Sequence, residues 1–161
     1  MTLTRRSAVY LSSAVLGLTA AVAVAAQSAY PVVPADKVQF APAPPFLPAG
    51  AQLSVLEGNP SAKGPVTLRL KLPANYVIPP HWHSMDERVT VLSGAFNIGM
   101  GDKLDRLGST RLEPGGFVSL KSNMHHFGWV ATPTVVQISL EGPFDIFYVN
   151  ASEDPQKAMK H

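Results

Sequence analysis

From Val66 to Leu72 apolar and polar side chains alternate, with Val66, Leu68, Leu70 and Leu72 on one parity and Thr67, Arg69 and Lys71 on the other. A period of two is that of a strand with one face buried. Short runs rich in β-branched and aromatic residues follow: YVIPPHWH (76–83), ERVTVL (87–92), AFNIGM (95–100), GGFVSL (115–120), HHFGWVA (125–131), TVVQISL (134–140) and FDIFYV (144–149). Between them stand Ser93-Gly94, Gly99 to Gly101, Pro114-Gly115-Gly116, Thr132-Pro133 and Gly142-Pro143, which carry turn chemistry. No segment of this body has a helical period. Some eight strands without alternating helices predict an all-β domain, an antiparallel sandwich or barrel. No internal repeat is visible, so one barrel is expected rather than two.

The flanks change the picture in two ways. Residues 31 to 48 hold six prolines, which lack the amide donor a central strand needs. They predict an extended arm that either lies over the body or reaches to a partner subunit. Before them, Arg5-Arg6, an apolar stretch and small residues around Ala23 to Ala29 have the layout of a secretory signal peptide. A retained membrane anchor is the competing reading, which the Ala-rich and only moderately apolar stretch disfavours. Thr4-Arg5-Arg6 is also compatible with a twin-arginine signal. The expected organisation is therefore a signal peptide over 1–29, a Pro-rich arm over 30–49, a barrel over 50–150 and a tail over 151–161. A periplasmic or secreted location follows.

Those two arginines are the only charged side chains of the signal, so eleven basic and eleven acidic residues remain after it. No Lys/Arg run is left to track phosphates, which argues against a nucleic-acid partner. There is no cysteine, hence no disulfide frame, thiolate metal site or cysteine nucleophile.

Candidate chemistry is concentrated in PPHWHSMDERVTVLSG (79–94). Four of the five histidines fall at His81, His83, His125 and His126. His81 and His83 are two apart, so on a strand both imidazoles face the same side. Glu87 shares that parity, but four extended residues span about 13 Å. Glu87 reaches the same ion only if Ser84-Met85-Asp86 turns back. A fourth ligand would come from the second cluster at His125-His126. Asp86 is expected to be a solvated turn residue, and Asp102 and Asp105 polar residues of a hairpin loop. Trp82 and Trp129 are expected in the barrel wall or mouth. Arg69 and Gln137, both mid-strand, are candidates to point into the cavity and orient a substrate.

At these positions the chain resembles the cupins. Their first motif runs His-x-His, three residues, Glu, six residues, Gly, and is met by His81, His83, Glu87 and Gly94. The motif's leading Gly falls at Asn75, a residue that tolerates left-handed backbone. The second motif, Pro-Gly followed about a dozen residues later by His, is matched by Pro114-Gly115 and His126. Gly116 stands in place of a frequent Asp, and Lys121 in place of a frequent Pro. The resemblance spans about residues 50 to 149 and is nearest to small exported single-domain members of unassigned activity. It implies a single antiparallel jelly-roll barrel, which the Pro-rich arm precedes, and His126 rather than His125 as the fourth ligand.

Three imidazoles and one carboxylate would leave two positions of a six-coordinate ion open. Nitrogen and oxygen donors without thiolate suit Fe(II) or Mn(II), with Ni, Co, Cu or Zn also possible. The resemblance then implies a metalloenzyme acting on a small molecule by oxygenase-like or isomerase-like chemistry, with Glu87 as ligand or internal base. A non-catalytic module that binds or senses a metal or small ligand is the alternative. A cavity reaching the metal separates the two; one filled by Phe96, Ile98 and Met100 would argue against catalysis. Open sheet edges and the arm suggest a homodimer.

Overall fold

The computed structural model describes residues 31–158; the expected signal segment lies outside them. Among the described residues, eleven strands form two antiparallel sheets. They are β1 (Ala41–Pro42), β2 (Gln52–Glu57), β3 (Gly64–Leu72), β4 (Val77–Trp82), β5 (Glu87–Ser93), β6 (Phe96–Met100), β7 (Thr110–Leu112), β8 (Phe117–Leu120), β9 (His126–Trp129), β10 (Thr134–Gly142) and β11 (Phe147–Tyr148). One sheet has the order β1-β2-β3-β10-β5-β8, the other β11-β4-β9-β6-β7. Two antiparallel sheets are what the alternation and turn spacing predict, and their arrangement is the jelly roll that the cupin resemblance implied. No described helix is long and apolar enough to cross a membrane.

The first sheet is organised by β3 and β10, which pair without a break from Thr134↔Leu72 to Gly142↔Gly64. Both alternate, so Val66, Leu68, Leu70 and Leu72 line up with Val136, Ile138 and Leu140 on the inner face, all buried. Val89 and Val91 of β5 extend that face. Ile78, Phe96 and Ile98 answer from the second sheet, and the core lies between. Two glycines let the β6–β9 pair close. Phe127 packs where a Cβ on Gly99 would stand, and Phe96 does the same at Gly128. Asn75 is left-handed at φ 61°, as its place in the turn requires, and so is Gly94 at φ 75°.

The arm turns back onto the body. Ala41–Pro42 pairs with Leu53 and Gln52, and Leu47 is buried in the core. Two tyrosines hold this segment by hydroxyl donation, Tyr76 to the Pro48 carbonyl at 2.5 Å and Tyr148 to the Phe46 carbonyl at 2.8 Å. The tail begins with 3-10 helix Ala151–Glu153, followed by a helical turn over Pro155–Ala158.

Arg69 and Gln137 are not in the cavity. Each lies between inward neighbours on its strand, so alternation turns both outward, where Arg69 Nε donates to Gln137 Oε1 at 3.1 Å. They brace the outer face of the first sheet. Trp82 and Trp129 are also external: Trp82 stacks between Phe147 and His125, and Trp129 lies under the Arg106 guanidinium.

Candidate metal centre

Two strands of the second sheet and one of the first carry the site. His81 is the penultimate residue of β4 and pairs with His126, the first residue of β9. His83 follows β4 immediately, and Glu87 opens β5 after a bend at Ser84 and Met85. That bend is the turn demanded by the His83–Glu87 spacing. The four side chains are all buried.

The aim of His81 depends on a local irregularity. Ile78 and His81 both face the cavity although they are three residues apart, and a regular strand would set them on opposite faces. The β4–β9 register shifts between them, at Pro79-Pro80. Proline cannot donate to the ladder, so the pair interrupts pairing and resets the parity. A period of two sets His81 and His83 on one face but carries no sign of this reset.

Each imidazole is pinned by its Nδ1. His81 Nδ1 lies 2.7 Å from the Pro79 carbonyl, His83 Nδ1 2.5 Å from that of Asp145, and His126 Nδ1 2.8 Å from that of Met124. A carbonyl only accepts, so each Nδ1 carries the proton and each Nε2 offers a lone pair. One ligand nitrogen from each ring falls within a group no wider than 4.8 Å. Glu87 Oε2 sits 3.7 Å from His83 Nε2 and 3.6 Å from His126 Nε2, too far for hydrogen bonds. The Nε2 atoms of His83 and His126 are buried without a hydrogen-bond partner. Buried polar atoms are normally satisfied, and a cation between these donors would satisfy both. The three-histidine group therefore fits a metal ion, with Glu87 beside it.

Burial holds the His81 imidazole well below its ordinary pKa, and the neighbouring His126 and His83 rings act in the same direction. Burial pushes the Glu87 carboxyl up, but His126 and His83 outweigh it and leave it below the usual range. Neutral imidazole is thus favoured at His81 and carboxylate at Glu87, the protonation states that ligate metal.

The surrounding loops are fixed by residues outside the motif. Asp145 accepts from the Ser84 amide at 2.8 Å and from the Ser84 hydroxyl, which holds the bend after His83. The His83 carbonyl accepts from the Asn123 amide at 2.7 Å. Asp86 is a turn residue, as expected, and also a staple: it accepts from Lys121 Nζ at 2.7 Å and from the Ser122 amide at 3.0 Å. Lys121 thereby ties the loop before His126 to the bend before Glu87. Asp145 had no signal in the sequence beyond its place after a Gly-Pro pair.

His125 points the other way, as alternation requires. Its Nδ1 meets Asp102 Oδ1 at 2.6 Å on the outer surface, and its side chain is 40% exposed. Asp105 accepts from the Leu107 amide inside its own loop.

The cluster opens on a cavity of about 300 Å³ between the sheets. Phe96 and Ile98 form part of its wall without filling it, and Met100 is exposed on the outside. Pro44, Phe46 and Leu47 of the arm join Phe144 and Ile146 of the β10–β11 connection in its lining. The Phe46 and Phe144 rings are in contact, with centroids 5.4 Å apart.

No protein-family model and no curated protein matches this chain. Solved structures do. The chain is similar to the polyketide cyclase RemF from Streptomyces resistomycificus, with TM-score 0.63 and 19% identity over 81% of this chain and 92% of that one. It is similar to an RmlC-like cupin from Shewanella frigidimarina, with TM-score 0.52 and 11% identity over 66% and 86%. It is also similar to the DMSP lyase DddQ from Ruegeria pomeroyi, with TM-score 0.51 and 19% identity over 73% and 56%.

Proposed function

This chain has the cupin fold, and from that fold and the cavity that reaches its three-histidine group we propose that it is an exported metalloenzyme acting on a small molecule. His81, His83, His126 and Glu87 hold one divalent ion. Three nitrogens, one oxygen and no thiolate favour Fe(II) or Mn(II) over softer ions. Such an ion supplies Lewis-acid or oxygen chemistry at its open positions. The chain's own residues exclude water with an apolar wall, fix the imidazole tautomers and keep Glu87 ionised beside the reacting end of the cavity. Glu87 serves as ligand or as internal base. Export rests on the first 29 residues, and a homodimer on the open sheet edges.

The observation that carries this reading is the pair of partnerless, buried Nε2 atoms facing Glu87 at the end of a cavity. Two of the fold neighbours bear enzyme names, a polyketide cyclase and a DMSP lyase, which is consistent with chemistry at such a site. A binding module without turnover is the second reading. It is favoured by the cavity's lack of any titratable side chain beyond the four, among the described residues.

Elemental analysis of protein purified from its native compartment tests the metal. We expect about one ion per chain, lost in His83→Ala and His126→Ala and largely kept in His125→Ala. Equal loss in the last two would refute the ligand assignment. Oxygen uptake with phenolic and acidic substrates then separates turnover from binding.

A further inference from the structure

Besides the four site residues, Ser61 is the only lining residue of this cavity, among those described, with a polar side chain. The wall elsewhere is Leu, Ile, Val, Phe, Pro and Gly. No Lys or Arg lines it to pair with a phosphate or a second carboxylate. No Asn, Gln or Tyr lines it to read the hydroxyls of a sugar. A polar group desolvated against such a wall goes unsatisfied. At the histidine cluster, three neutral imidazoles and one carboxylate around a divalent ion would leave one net positive charge. A buried charge is costly unless it is matched, and one negative charge on the ligand matches it.

We propose that the cavity selects an apolar molecule bearing a single chelating oxyanion, such as an enolate or phenolate with a neighbouring carbonyl. This deepens the metalloenzyme reading and rests on it. A volume of about 300 Å³ stands at the small end of ligand cavities, which suits a small molecule. The oxygen pair faces His81, His83, His126 and Glu87, while the apolar body lies toward Phe46, Phe144 and Ile146. Polyols, phosphate esters and dicarboxylates are excluded by desolvation, because the wall, Ser61 apart, returns none of the hydrogen bonds or charge pairs they lose.

The test uses Co(II)-loaded protein, whose visible spectrum reports ligands entering the metal's coordination. Tropolone, an apolar monoanionic chelator, is titrated against oxalate and inorganic phosphate, each value normalised to that probe's affinity for free Co(II). After normalisation, tropolone is expected to bind about tenfold tighter or better than oxalate or phosphate, the order of gain from burying one apolar ring. Phe46→Ser and Ile146→Ser alter half-buried wall positions. They should reduce the tropolone preference severalfold at unchanged cobalt content. Cobalt uptake with oxalate or phosphate preferred overturns the ligand class while leaving the metal reading intact. So does a tropolone preference unmoved in both wall variants. Failure to take up cobalt at all overturns the metal reading, and this inference with it.

Discussion

His81, His83 and His126 each give their Nδ1 proton to a main-chain carbonyl, so backbone position sets both ring orientation and tautomer. The Asp145 carbonyl is the one such partner that comes from a distant loop, and that loop is held by the Asp145 carboxylate on Ser84. Asp145→Ala should free the loop and weaken metal binding roughly tenfold, the low end of the effect of losing an outer support. Competition against a chromophoric chelator measures it, and unchanged affinity would show that the carbonyl is positioned by other contacts. Gly94 is a purely structural case. It is left-handed, and an added Cβ would stand 2.5 Å from the Pro133 carbonyl oxygen. Gly94→Ala should cost at least about 1–2 kcal/mol in urea unfolding. The choice of His126 over His125 came from the spacing of the cupin motif after Pro114-Gly115, and the observed alternation fits it. The same rule, applied to Val66–Leu72, already turns Arg69 outward; its proposed substrate role ignored the parity of its own strand. What no period reveals is the reset at Pro79-Pro80 that turns His81 toward the cavity.

At the scale of elements, long strands were readable because burial imposes strict alternation on them, as in β3 and β10. The edge strands β1, with two residues, and β7, with three, were not. Such short pairings are set by neighbouring strands rather than by their own pattern. The arm's composition predicted extension, and its destination comes from tertiary contacts: Leu47 in the core and two tyrosine hydroxyls on its carbonyls. Leu47→Ala should lower stability by about 2–3 kcal/mol. Tyr148→Phe should cost about 1 kcal/mol. Loss of neither on chemical denaturation would mean that the arm is not part of the cooperative unit.

For the molecule as a whole, His81 and His126 come from one sheet, His83 directly follows a strand of it, and Glu87 comes from the facing sheet, so an ion held by all four, as proposed, would bridge the two. Anything that binds the folded chain alone stabilises it by mass action, about 2.7 kcal/mol at a hundredfold excess over the dissociation constant. Metal loading should therefore raise the melting temperature of the wild type and leave that of His83→Ala unchanged. The most direct measurement counts the ligands themselves, by X-ray absorption on the loaded protein. Three imidazoles and one carboxylate oxygen are expected at the ion, falling to two imidazoles in His126→Ala and staying at three in His125→Ala. An imidazole lost in His125→Ala, or a spectrum with fewer than three in the wild type, would contradict the four-ligand site.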